Sequence, residues 1–154
     1  LIGGTLTRGG HMFVGGSKRR GWPVRGEGTN NVQRLDWTGK TPFEIHSMHV
    51  KPDGFELRFT APADAASARD PRSYTLDTFT HHYFGAYGGP EIEQATQRIA
   101  SATPSADGLS VRLVVDKLVV SHIHELHLPG VRDRAGQPLL HDVAYYTLNQ
   151  VPKN

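Results

Sequence analysis

The sequence of 154 residues contains no cysteine. This absence excludes disulfide bonds, thiolate nucleophiles and metal centres with thiolate ligands, so any metal would be held by His, Asp, Glu or backbone oxygen. Long apolar runs are also missing, and no segment has the length that a bilayer-spanning helix needs. We therefore predict no membrane partner.

Several catalytic signatures are absent as well. The sequence has no Gly-x-Ser-x-Gly elbow, no glycine-rich loop followed by Lys-Ser/Thr, and no EF-hand loop. These absences argue against serine hydrolase chemistry and against a phosphate-binding loop. The first residue is Leu1 and not Met, so we expect a fragment or a processed product of a longer protein.

The charge is unevenly distributed along the chain, although the net charge is only +2. Residues 1–40 hold seven basic and two acidic residues, whereas the remaining 114 hold ten basic and thirteen acidic residues. Such asymmetry can mark a nucleic-acid-binding arm. Only Trp22 accompanies the basic cluster and no base-stacking pattern follows it, so we predict no nucleic-acid partner. The alternative is a surface segment whose arginines face solvent or a neighbouring domain.

From residue 41 onward the sequence has the pattern of short strands separated by tight turns. The stretch "FELRFT" alternates, with Phe55, Leu57 and Phe59 on one face, and "KPDG" before it predicts a turn. Further strands are predicted in "SYTLDTFTHHYF", "TQRIASATPS", "ADGLSVRLVVD", "SHIHELHL" and "VAYYTLN". The stretch "GAYGGPEIEQ" is predicted as a loop, and "PADAASARDPRSY" as a polar loop with one short helical turn. This pattern predicts an all-β fold, an antiparallel β-sandwich.

Residues 1–40 differ from the rest, because they carry ten of the seventeen glycines. Two short strands are predicted there, in "HMFV" and "NNVQRLDW", and they cannot form a core alone. We therefore divide the chain into a Gly/Arg-rich segment of short strands, residues 1–40, and a sandwich domain, residues 41–154. Exposed sheet edges in the first segment predict a homo-oligomer that forms through the N-terminal strands.

Two resemblances cover most of the chain. Residues 43–149 resemble a bacterial immunoglobulin-like (Ig-like) module, through "FELRFTAPADAASARDPRSYTL", "SADGLSVRLVV" and "HELHLPGVRDRAGQPL". The segments "MFVGGSKRRGW" and "NNVQRLDWTGKTPFEI" resemble the last blade of a secreted sugar-dehydrogenase-like β-propeller. Together these resemblances imply an accessory module of an exported bacterial multidomain protein, secreted or periplasmic. Its role would be docking, or binding of a small-molecule or carbohydrate ligand.

A histidine cluster in "SHIHELHLPG" supports a different function. His122 and His124 alternate on one face of the predicted strand, and His127 completes a His-x-His-x-x-His spacing. This spacing resembles the His-x-His-x-Asp-His motif of the metallo-β-lactamase superfamily, which includes acyl-homoserine lactonases. Leu126 stands where that motif has aspartate, and Glu125 lies one residue early.

The resemblance implies a small metal-dependent hydrolase of esters or lactones, such as N-acyl-homoserine lactones. In that alternative, Zn²⁺ or Ca²⁺ is held by His122, His124 and either His127 or His141, and the metal-bound water attacks the carbonyl. Glu125 or Asp142 would orient or deprotonate the water. The ordinary alternative is a set of half-exposed strand histidines that make one hydrogen bond each.

Other side chains form weaker candidate sites. Calcium is predicted to bind loop carboxylates from among Asp64, Asp70, Asp133 and Asp142. The segment "THHYFGAYGG" predicts a substrate-binding loop made of His81, His82, Tyr83 and Tyr87. A third histidine pair, His46 and His49, is predicted on opposite faces of one strand.

Overall fold

The computed structural model describes residues 3–17, 30–85 and 88–153. The chain divides into two compact units, Leu1–Lys40 and Thr41–Asn154. Both consist of antiparallel sheets, which confirms the prediction of an all-β fold. Tyr87, a predicted substrate-binding residue, and Trp22, which accompanies the basic cluster, lie outside the described residues.

The first unit contains a three-stranded antiparallel sheet in the order β1 (Gly3–Leu6), β2 (His11–Ser17) and β3 (Asn30–Asp36). Strand β1 was not predicted, because "GGTL" shows no alternation of apolar and polar side chains. The strand register aligns Leu6, Met12 and Leu35 in one row across the sheet, and all three are exposed.

The second unit contains two four-stranded antiparallel sheets, which we call the histidine sheet and the opposing sheet. The histidine sheet has the order β11 (Val143–Leu148), β10 (His122–His127), β6 (Thr75–Thr80) and β7 (Ile92–Gln97). The opposing sheet has the order β4 (Ile45–Lys51), β5 (Gly54–Phe59), β9 (Ser110–Val115) and β8 (Ile99–Pro104). This is the predicted β-sandwich.

The hydrophobic core of the second unit is built from alternate residues of its strands. On β5, Phe55, Leu57 and Phe59 are buried as predicted, while Arg58 is exposed. The fully buried aliphatic side chains come from both sheets and from the loop after β10: Leu57, Leu76, Val111, Leu113, Leu126, Leu128, Val131 and Leu148. Removing this apolar surface from water is the main favourable contribution to folding.

The β4–β5 hairpin turns at Pro52 and Asp53, where the sequence predicted a turn. A Cβ atom on Gly54 would lie 2.1 Å from the carbonyl oxygen of Leu113 on the neighbouring strand. Glycine is therefore required here for the close approach of two backbones. The guanidinium of Arg112 donates a hydrogen bond to the carboxylate of Asp53 and so stabilises the same turn.

The structure of residues 85–105 differs from the prediction made from the sequence. A loop was predicted for residues 85–94 and one strand for residues 96–105, but β7 already begins at Ile92 and a second strand begins at Ile99. Four consecutive residues of β7 are exposed, so this edge strand shows no hydrophobic alternation in the sequence. Arg98 alone separates the two strands, and the chain changes sheets there.

The polar loop after β5 contains the expected helical turn, α1 (Ala65–Arg69), followed by a 3₁₀ turn, Pro71–Ser73. Asp64 caps α1 by accepting the backbone N–H of Ser67 at 2.8 Å. The buried hydroxyl of Tyr74 donates to the carbonyl of Ala68 at 2.6 Å, which ties the loop to the core.

Candidate functional site

Strand β10 carries the histidine cluster and distributes it between two environments. Successive side chains of a strand point to opposite faces. His124 is therefore directed into the sandwich, where it is fully buried together with Leu126. Glu125 and His127 lie on the outer face of the histidine sheet, and both are partly exposed.

His124 occupies an apolar pocket between the sheets. Its Nε2 accepts the backbone N–H of Val119 at 3.3 Å, and its ring lies 5.3 Å from that of Phe55, centroid to centroid. Nδ1 is buried and has no hydrogen-bond partner among the described residues. Burial lowers the pKa of His124, because the charged imidazolium would lose its hydration. Burial therefore favours the neutral form of the ring.

His122 is also largely covered, with 11% of its side chain exposed. Its Nδ1 lies 3.1 Å from the carbonyl oxygen of Val120, and its Nε2 lies 3.3 Å from a carboxylate oxygen of Glu93. Both ring nitrogens are therefore engaged. His122 contributes to a contact between β10 and β7 at the end of the histidine sheet.

On the outer face, Glu125 is the centre of a polar cluster. Its Oε1 accepts the hydroxyl of Tyr145 at 2.8 Å and lies 3.2 Å from Nε2 of His127. The hydrogen bond to the carboxylate raises the pKa of Tyr145, because losing the phenol proton would place two negative charges together. On the neighbouring strand, Asp77 stands directly beside Glu125 and accepts the hydroxyl of Thr96 at 2.6 Å.

These contacts form a row of polar side chains across all four strands, beside a shallow cavity that we call the acidic groove. The cavity has a volume of about 300 Å³. Its lining includes three carboxylates and the largely buried ring of Phe79: Asp77, Thr78, Phe79, Glu91, Gln94, Ala95, Thr96 and Glu125. None of the four strands contains lysine or arginine. This groove was not predicted from the sequence, because only the strand register brings Glu125, Asp77 and Glu91 together.

The remaining residues of the metal hypothesis lie elsewhere. His141 places Nδ1 at 2.6 Å from Oε1 of Glu44, and its backbone N–H donates to Oε2 of the same carboxylate. Asp142 is exposed, and its carbonyl accepts the N–H of Leu128. Among residues 3–17, 30–85 and 88–153, no three His, Asp or Glu side chains are arranged to hold a metal ion. The proposed hydrolase and metal site thus receive no support from the geometry, and a zinc or calcium cofactor stays a prediction.

The loop aspartates predicted to bind calcium hold local backbone turns. Asp64 caps α1, and Asp70 accepts the N–H of Arg72 in the 3₁₀ turn. Asp133 accepts the N–H groups of Ala135 and Gln137, both at 2.8 Å. These bonds give the three aspartates a structural role, and calcium binding by the loop carboxylates stays a prediction.

The predicted substrate-binding loop is described only in part. His81 lies with Nδ1 at 3.1 Å from the carbonyl of Pro90 and packs edge-on against Phe79. His82 and Tyr83 are exposed, and Tyr87 is outside the described residues, so this site stays a prediction. His46 and His49 on β4 are both exposed, and a bulge between Ile45 and Ser47 interrupts the strand alternation.

Comparisons with known proteins extend the structural result. A scan against protein-family models and a search of curated proteins returned no match. Among solved structures, the S-layer protein SbsC matches with a TM-score of 0.54 and 20% identity, over 71% of this chain and 14% of that chain. The N-terminal part of the same bacterial S-layer protein matches with a TM-score of 0.54 and 21% identity, over 71% of this chain and 24% of that one.

These matches show a shared fold, and this chain spans only a small part of the proteins it matches. The propeller resemblance of the first segment and the lactonase resemblance of β10 find no support in them. Within the described part of the chain, no helix is long and apolar enough to cross a membrane.

Proposed function

We propose that the Thr41–Asn154 unit is a non-catalytic accessory module of an exported bacterial multidomain protein. It acts as an in-line spacer, by which we mean that the chain enters and leaves the unit at opposite ends of strand β11. The observation that carries this proposal is the path of the chain along the last strand, β11. Because a fold alone does not define a function, the proposal depends on where the chain enters and leaves the unit and not on the β-sandwich architecture.

The chain enters the unit beside the start of β11 and leaves it at the end of that strand. The carbonyl of Phe43 accepts the N–H of Leu140 at 3.1 Å, and Glu44 binds His141. Leu140 and His141 lie just before β11, whereas the chain departs after Leu148. Six residues of strand separate the two points by about 17–20 Å. The unit therefore extends the chain and does not return it to its starting point.

The likeness to a bacterial surface-layer protein supports the same proposal. There, a fold of this kind makes up a small fraction of a long chain. The Ig-like resemblance of the sequence implies an accessory module of an exported protein. A location at the cell surface follows, and it is tested by brief protease treatment of intact source cells, which should degrade a surface-exposed protein and spare a cytoplasmic one.

A distance measurement tests the in-line arrangement. The absence of cysteine allows spin labels at two introduced sites, Thr41→Cys and Gln150→Cys, both exposed in the native protein. We expect one narrow distance distribution on the order of 20 Å, set by the length of β11. The matched control, Thr41→Cys with Leu140→Cys, should give a clearly shorter distance. Equal distances in the two pairs, or a broad distribution in the first pair, would refute the in-line role.

A hydrolysis assay tests the non-catalytic role. Purified chain is incubated with N-acyl-homoserine lactones and with simple esters, with added Zn²⁺ or Ca²⁺ and with a chelator. We expect no turnover above the buffer rate under any of these conditions. Turnover that the chelator abolishes and that Glu125→Gln also abolishes would replace the accessory role by the metal-dependent hydrolase.

A further inference from the structure

We propose that the outer face of the histidine sheet docks the basic, glycine-rich N-terminal part of a second copy of this chain. The contact would join copies head to tail. This inference is independent of the spacer role, and it assigns a surface to the self-association that the sequence predicts.

The outer face is negatively charged by composition. Asp77 and Glu125 lie on this face, Glu91 stands at the rim of the acidic groove, and the four strands contain no lysine or arginine. Two histidines contact the lining of the groove: His127 is held by Glu125, and His81 packs against Phe79. The strands of the opposing sheet, in contrast, include three cationic side chains: Lys51, Arg58 and Arg112. A field of one sign on one face favours an oppositely charged partner.

An exposed aromatic ring lies beside the carboxylates. Tyr145 is 60% exposed, and its hydroxyl is fixed by Glu125. A ring held in this way presents its face at little entropic cost, and guanidinium groups bind such faces well. The combination of carboxylates and a fixed aromatic ring suits arginine side chains better than it suits neutral polar groups.

The chain itself contains a segment of matching charge. Residues 1–40 hold seven basic and two acidic residues, and the rest of the chain carries a net charge of −3. Arg8, Arg34 and Lys40 are exposed among the described residues of this segment, and Arg34 is paired with Asp36. Charge complementarity within one sequence, together with a low net charge of +2, favours association between copies.

The size of the face decides what kind of partner fits. Four strands about 4.8 Å apart and six residues long cover roughly 350–400 Å². A stable globular interface buries about 800 Å² on each partner, so this face suits a peptide segment that binds weakly and in a salt-dependent way. The segment and the face are different surfaces, so the contact is heterologous and joins copies into open chains or closed rings.

Sedimentation velocity of the full chain tests this surface. At about 20 mM salt we expect the average mass to rise with protein concentration, and at about 500 mM salt we expect monomers. Asp77→Asn with Glu125→Gln, which keep the oxygen acceptors for Thr96 and Tyr145, should weaken association on the order of tenfold. The matched control, Glu56→Gln with Asp133→Asn, removes the same charge elsewhere and should associate like the native chain.

Two further measurements test whether the N-terminal segment of a second copy is what binds the outer face. If the double variant of the face does not fold, Glu91→Gln removes the exposed rim charge of the groove instead, and weaker association is again expected. Carbodiimide cross-linking in a mixture of ¹⁴N and ¹⁵N chains should join Lys18 or Lys40 to Asp77, Glu91 or Glu125 in mixed-isotope products. A strict monomer at low salt, cross-links confined to one copy, or association unchanged by the face variants would overturn the proposal.

Discussion

His124 and His127 lie three residues apart on the same strand and have opposite environments. His124 is enclosed by the two sheets, accepts one backbone N–H and leaves Nδ1 without a partner among the described residues. His127 is partly exposed and contacts the carboxylate of Glu125 on the outer face. A spacing that looks like a metal motif in the sequence is therefore divided by the strand pleat into one core side chain and one surface side chain.

The difference teaches how a histidine motif on a strand should be interpreted. Ligands for one ion must converge on one point, and a strand directs only alternate residues to the same side. His122 and His124 meet that condition by position, but His122 is engaged with Val120 and Glu93 while His124 lies against Phe55. Packing decides the role of each ring more than spacing does.

The largest predicted effect comes from the inner face of β10. Leu126→Ala removes a fully buried side chain, and we expect it to lower the free energy of unfolding by about 2–5 kcal/mol, since the site cannot fully collapse. On the outer face, His127→Ala should change the same quantity by less than about 0.5 kcal/mol. Urea denaturation followed by circular dichroism measures both. Similar losses in the two variants would show that β10 does not have a buried and an exposed face.

A smaller effect is predicted for pH, because burial lowers the pKa of His124 below its ordinary value of 6.5. At a pH between the pKa of His124 in the folded chain and its ordinary pKa, the unfolded chain binds a proton at this ring and the folded chain does not. The contribution of His124 to stability is therefore complete above about pH 6.5 and declines as the pH falls, with a slope of up to about 1.4 kcal/mol per pH unit.

His124→Leu should remove this component of the slope, whereas His127→Gln should retain it. The measurement is urea denaturation from pH 8 to pH 5 in the presence of a chelator, so that no metal contributes. A native chain and a His124→Leu variant with parallel pH profiles would contradict the assignment.

The smallest predicted effect concerns the outer face alone. The carboxylate of Glu125 raises the pKa of Tyr145 through the hydrogen bond from its hydroxyl. Glu125→Gln removes the charge and should return the pKa of Tyr145 toward its ordinary value of 10.0. Titration of the tyrosine ring carbons by NMR measures the change, and His124→Leu serves as the control because it leaves the outer face intact.

Much of the sandwich could be predicted from the sequence, because burial imposes a two-residue period on its strands. Phe55, Leu57 and Phe59 alternate with polar residues and were assigned to the core correctly. Edge strand β7 was missed because four of its six residues in succession are exposed, so no period is present. Strand β1 was missed because glycine carries no side-chain pattern.

The candidate site was harder to predict, because it depends on register. Asp77, Glu125 and Tyr145 are separated by up to 68 positions in the sequence, yet the ladders of β6, β10 and β11 place them side by side. No local pattern encodes that alignment. The histidines were conspicuous in the sequence because they are close together along the chain, whereas the groove is made of residues that are close only in space.

The single residue that joins β7 to β8 has a consequence for how this unit can vary. Arg98 carries the chain from one sheet to the other and is held by the carboxylate of Asp116 at 2.8 Å. An insertion at this junction would separate two sheets that share one core, so we expect this position to tolerate no added residues. The long connection between β6 and β7 does not cross between sheets. Changes in length, and new recognition loops, should therefore accumulate there.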